Sequence, residues 1–116
     1  VKRKLKDGDT PEEVRIHFFH VAVIGLDLGT TGAKGILVDA TGQPLAEATA
    51  SYGVSHPKPL WAEQWPDGWV DGGNQVLREL SERAKSAGIK PAALCVSGLY
   101  GGSGVPCDRE MKPIHP

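Results

Sequence analysis

The chain has 116 residues, 13 of them basic and 14 acidic, for a formal charge of −1. Nothing in that balance would draw it onto nucleic acid or an anionic membrane, so neither is expected as a partner. Apolar residues make up 40% of the chain without the long unbroken run that a transmembrane helix or signal peptide requires, and the composition reads as globular with many turns.

Residues 1–20 are rich in charge and show no apolar period before Phe18 and Phe19. They read as an extension with little apolar surface to offset ordering entropy, and poor order is expected of them. The sequence opens on Val1 and its single methionine is Met111, so it is read as an excerpt of a longer reading frame. Val21 to Leu28 is a nearly continuous apolar run of strand length, which predicts a strand covered on both faces. It stops at Gly29-Thr30-Thr31-Gly32. Lys34 to Asp39 predicts a second strand, Ala40-Thr41-Gly42 a turn, and Pro44 to Ser51 a third strand. In the third, Leu45, Glu47 and Thr49 alternate with Ala46, Ala48 and Ala50, the pattern of a half-exposed strand in an antiparallel meander.

Ser55 to Trp65 reads as a proline-containing loop whose aromatics pack it to the core. From Pro66 onward Trp69, Val76, Leu77, Leu80 and Ala84 follow a helical period that Gly88 ends, and Gly68, Gly72 and Gly73 weaken its first turns. Ala92 to Ser97 predicts a further apolar strand, and strand, helix, strand implies a parallel crossover. Cys95 and Cys107 have neither the number nor the spacing of a disulfide framework or zinc site. Cys95 is read as a small apolar residue in a buried strand, and the pair suits a reducing cytoplasm. His17, His20, His56 and His115 have no ligand spacing.

The chemistry concentrates in Asp27 to Lys34. Asp27 ends a strand too apolar to hold a carboxylate without a purpose, because burying an unpaired charge costs several kcal/mol. It should face a cleft, a cation or a partner. After it come glycines that let backbone approach a ligand, the hydroxyls of Thr30 and Thr31, and the cation of Lys34, a set that suits a phosphate group. An ordinary hairpin turn with solvated Asp27 and Lys34 is the alternative, since the segment is neither a Walker loop nor a Rossmann glycine fingerprint.

Three ordered segments carry a resemblance. Ile24 to Asp39, IGLDLGTTGAKGILVD, resembles the first phosphate motif of the actin-like ATPase superfamily. Ser55 to Trp69, SHPKPLWAEQWPDGW, and Ala93 to Asp108, ALCVSGLYGGSGVPCD, are similar to segments of the FGGY carbohydrate kinases, most of all the xylulokinase branch. The resemblance implies an α/β fold of the ribonuclease H-like type, with three antiparallel strands, a helix and a parallel strand. Residues 21–116 would be the start of an FGGY N-terminal domain, the second domain lying outside the chain. It implies ATP-dependent phosphorylation of a sugar or polyol with Mg²⁺. Asp27 would hold the metal, Gly29, Thr30, Thr31, Gly32 and Lys34 the phosphates, and Leu99, Tyr100, Gly101, Glu63 and Gln64 the sugar. The expected partners are ATP and a small sugar or polyol, with a homodimer for the whole protein. The proton-accepting aspartate and the adenosine site would lie beyond Pro116, leaving this chain inactive alone.

The departures are as specific. Lys34 stands where many members have Arg and cannot make a bidentate grip. Trp65 replaces the Asp that caps the helix. Leu99, Tyr100 and Gly101 replace the Gln-Met-His run that contacts sugar. A non-catalytic sugar- or nucleotide-binding relic and an actin-like ATPase switch are the competing readings.

Overall fold

The computed structural model describes residues 21–98 and 104–116. Strands β1 (Val21–Leu28), β2 (Gly32–Asp39) and β3 (Pro44–Ser51) are followed by helix α1 (Pro66–Ser86) and strand β4 (Lys90–Gly98). They form one four-stranded sheet in the order β3-β2-β1-β4, with β1–β2 and β2–β3 antiparallel and β1–β4 parallel. This is the expected meander, helix and crossover.

The turns follow from local chemistry. Asp39 Oδ1 accepts hydrogen bonds from the Thr41 N–H at 2.8 Å, the Thr41 hydroxyl at 2.7 Å and the Gln43 N–H at 3.0 Å, while Gly42 takes φ +89°. An aspartate at a turn's start with glycine in the left-handed region reverses the chain at little cost. The Thr41 hydroxyl, then the Gln43 N–H, hold the Asp39 carboxyl below its ordinary pKa. Helix α1 starts with Pro66, for which the missing N–H costs nothing at that position. Trp65 precedes it without a side-chain capping bond, as its replacement of Asp predicts. The helix ends at Ser86, and Gly88, φ +70°, turns the chain away, with the Ile89 N–H bonded to the Ala84 carbonyl at 2.8 Å.

One core joins the sheet to α1. Ala22, Ile24 and Leu26 of β1, Ala33 and Leu37 of β2, and Ala48 and Ala50 of β3 face Val76, Leu80 and Ala84 of the helix. Leu37, Leu80 and Val76 are the largest fully buried side chains, each contributing about 1.5–3 kcal/mol by leaving water. Gly35 brings the two layers together, since a Cβ there would overlap Val76 and lie 2.8 Å from Leu80 Cδ1.

Two expectations fail on the same ground. Strand β1 is covered on one face only, with Val21, Val23 and Asp27 exposed between buried neighbours. Strand β4 is exposed along nearly all its length, including Cys95, Leu94 at 50% and Val96 at 53%. The helix lies over β1 to β3, and among the described residues no second layer covers the other face or β4.

Candidate functional site

Period-two alternation puts Asp27 on the sheet face opposite the helix, because Leu26 beside it points into the core. The parallel pairing sets Asp27 beside Ser97 of β4, and the antiparallel pairing sets it opposite Lys34 of β2. The three residues line one open cleft with Glu47 and Cys95. The Ser97 hydroxyl donates to Asp27 Oδ1 at 2.8 Å, fixing the carboxylate in an exposed position. Asp27 and Lys34 make no direct ion pair; among the described residues that contact is confined to Glu79 and Arg83 on α1. Both charges therefore face the cleft.

The turn from Gly29 to Gly32 has its carbonyls filled and the N–H groups of Thr30 and Thr31 spare. The Gly32 carbonyl accepts from the Gly29 N–H at 3.0 Å, and the Thr31 carbonyl from the Tyr52 N–H at 3.1 Å. The Gly29 carbonyl accepts from the Tyr52 hydroxyl at 2.5 Å, and the Thr30 carbonyl from Gln64 Nε2 at 2.9 Å. No acceptor among the described residues takes the N–H groups of Thr30 and Thr31. Two open backbone donors and two threonine hydroxyls are groups that suit an anion rather than a cation. Gly32 is also required by packing, since a Cβ there would lie 2.6 Å from the Ala50 carbonyl oxygen of β3.

A magnesium ion fits Asp27 on donor chemistry. Mg²⁺ is commonly held by one or two carboxylates with water and phosphate oxygens completing the octahedron, and Asp27 is one exposed carboxylate with only Oδ1 engaged by the protein. Among the described residues no cluster of three ligating side chains exists that would form an all-protein cage.

The sugar-side candidates separate. Leu99, Tyr100 and Gly101 lie outside the described residues, as do residues 1–20. Glu63 is held by its backbone, bonded both ways to Ser55 at 2.8 and 2.9 Å. With Gln64, Tyr52, Trp65 and Trp69 it lines a second hollow near the start of α1. Gln64 Nε2 reaches the Thr30 and Gly53 carbonyls, both at 2.9 Å, and its Oε1 accepts from Trp69 Nε1 at 3.3 Å. Trp61 does not pack the loop to the core. It is 48% exposed and lies under the Lys58 ammonium, 4.6 Å from the ring centre.

Tyr52 and Ser97 were not singled out from the sequence, although both touch the site. Tyr52 continues the Ala48, Ala50 alternation of β3 onto the helix face, which places its ring under the turn. Burial first, then the nearby Asp27 charge, raises the Tyr52 pKa above the ordinary tyrosine value, so its hydroxyl stays a donor at neutral pH.

Comparison with known proteins gives the family. The profile of the FGGY family of carbohydrate kinases, N-terminal domain, matches residues 22–116. The chain is 36% identical over 94 residues to the xylulose kinase of Lactococcus lactis, covering 81% of this chain and 19% of that protein. It is 33% identical over 93 residues to the xylulose kinase of Escherichia coli, covering 80% and 19%. The crystal structure of xylulose kinase from Rhodospirillum rubrum superposes with a TM-score of 0.76 at 36% identity, over 82% of this chain and 20% of that one. The chain thus spans about a fifth of the length of the relatives it matches. Its mixed sheet and helix are those of the actin-like ATPase fold, and the chain belongs to the FGGY family of carbohydrate kinases, matching their N-terminal domain.

Proposed function

We propose that the chain supplies the first phosphate-binding segment of an ATP-dependent kinase acting on a sugar or polyol hydroxyl. The observation that carries this reading is the Gly29–Gly32 turn, whose carbonyls are filled from within while the Thr30 and Thr31 N–H groups stay open, in the hairpin whose strands pair Asp27 with Lys34. Phosphoryl transfer makes little covalent demand on a protein, so positioning and charge neutralisation are the chemistry to supply.

In this reading the open N–H groups and the threonine hydroxyls bind phosphate oxygens, and Lys34 adds a positive charge from the opposite strand. Asp27 would hold Mg²⁺, which when bound neutralises and bridges phosphate oxygens. Ser97 keeps the carboxylate turned toward the cleft. The sugar wall is proposed at Glu63 and at Leu99, Tyr100 and Gly101, on family resemblance. The Gln64 amide is committed to Thr30, Gly53 and Trp69 and is left out of that wall. The proton-accepting aspartate and the adenosine site come from outside these 116 residues, so the chain alone is proposed to be inactive. Nothing in it is built to cross a membrane as a helix among the described residues, and a cytoplasmic setting is proposed with the kinase role.

A chimera tests this directly: residues 22–116 replace the matching segment of the Lactococcus lactis xylulose kinase, and ADP release is measured with a panel of ketoses and polyols. Sugar-stimulated ADP release from the chimera, and none from the chain alone, is expected. A folded chimera without turnover would overturn the kinase reading in favour of a binding relic.

A further inference from the structure

The Tyr52 hydroxyl and the Gln64 amide grip two consecutive carbonyls of the phosphate turn, those of Gly29 and Thr30. In a trans peptide the carbonyl and the following N–H point in opposite directions, and every described peptide is trans. Holding the Gly29 carbonyl therefore aims the Thr30 N–H away from Tyr52, and holding the Thr30 carbonyl aims the Thr31 N–H away from Gln64. We propose that Tyr52 and Gln64 are positioning residues, which orient the Thr30 and Thr31 peptide planes so that their N–H donors meet a bound phosphate. The inference rests on the phosphate reading above and adds a role that reading does not contain.

Three features support it. A short glycine-flanked turn can rotate a peptide plane, and either rotation would present a carbonyl oxygen to an anion in place of a donor. Tyr52 is itself seated by helix glycines: a Cβ at Gly72 would lie 2.8 Å from its Cδ1 and one at Gly68 would lie 3.6 Å from its Cβ. The glycines that weaken the first turns of α1 thus make room for the ring that reaches Gly29. Gln64 has both amide hydrogens on carbonyls and its oxygen on the Trp69 indole, an assignment set by its acceptor neighbours. The turn is in this way tied to α1 through two side chains that come from different segments.

The experiment uses the 116-residue chain, ¹⁵N-labelled and titrated with inorganic phosphate, alongside Tyr52→Phe, Gln64→Glu and the control Leu60→Gly. Tyr52→Phe keeps the ring on Gly72 and removes only the hydroxyl. Gln64→Glu keeps an acceptor for Trp69 and removes both donors. Phosphate should shift the Thr30 and Thr31 amide resonances of the parent saturably. Each variant should weaken that binding about tenfold while melting curves show it folded, and Leu60→Gly should bind like the parent. The two amides should also broaden or exchange faster in the unliganded variants, a change confined to the turn that a general loss of packing would not give. If the parent amides ignore phosphate, the phosphate reading fails and this inference with it. If the parent binds and folded Tyr52→Phe binds within twofold of it, the positioning role alone is overturned; should Gln64→Glu unfold, Tyr52→Phe decides.

Discussion

Gly35→Ala tests the seam between sheet and helix. The added methyl would overlap Val76 Cγ1 and approach Leu80 Cδ1 at 2.8 Å, where carbon atoms rest at about 3.5–4.0 Å, a shortfall of roughly 1 Å. Neither neighbour has slack: both are fully buried, and a β-branched Val in a helix has one strongly preferred rotamer. The helix must therefore lift from β2. Overpacking of this kind costs about 1–3 kcal/mol, while replacing a strand glycine by alanine returns about 0.5–1 kcal/mol. A net loss of about 1 kcal/mol is expected, or roughly 4–8 °C in Tm for a domain of this size. Gly25→Ala is the internal control. It lies on the open face, where its methyl meets Ile36 Cγ2 at 3.4 Å, so it should keep the glycine-to-alanine gain and raise stability by up to about 1 kcal/mol. Thermal and urea unfolding followed by circular dichroism would compare the two. Equal losses, or a tolerated Gly35→Ala, would show that the helix does not press on β2 as described.

Further predictions concern the cap, the site and pH. Trp65→Asp should stabilise the chain by about 1 kcal/mol, because the uncapped start of α1 gains an acceptor and a favourable charge; calorimetry reads it as a rise in Tm. Asp27→Asn should leave stability within about 0.5 kcal/mol, since its oxygen still accepts from Ser97, yet lower ADP release by the chimera on the order of 100-fold; near-normal turnover would make the segment a mere hairpin. Raised in the folded state, the Tyr52 pKa means that the unfolded chain loses this proton first. Stability is then full below about pH 10 and falls above it, and Tyr52→Phe should flatten that alkaline decline in urea titrations. Asp39 has the opposite sign. Its lowered pKa gives a contribution present above about pH 4 and lost as pH falls through the folded value, so the Tm gap between the parent and Asp39→Ala should narrow in acid.

Strands β1 and β3 were legible to the residue, since a nearly continuous apolar run and a clean alternation each end at glycine, proline or serine. Strand β2 begins at Gly32 rather than Lys34 because its register with Ser51 and Ala50 extends the ladder into the turn, and a pairing partner is invisible in local sequence. The apolar character of β1 and β4 misled about burial for a physical reason: it reports what a strand can have packed on it, whereas coverage depends on where α1 lies. Asp27 was legible through its conflict with an apolar strand. Ser97, Tyr52 and Gln64 reach the site from 70, 23 and 34 residues away from their partners, so only the folded topology reveals what they hold.

The two-way backbone bond between Ser55 and Glu63 acts as a clasp on the loop that contains Trp61. Beyond it Leu60 stands fully in solvent with φ +68°, a conformation that costs a branched residue about 1 kcal/mol or more. Because Gln64 follows the clasp and is tethered separately, length or sequence changes at residues 58–60 are mechanically insulated from the Gly29–Gly32 turn. The loop tip is accordingly a permissive position for a peptide tag or a fluorophore that leaves the turn undisturbed.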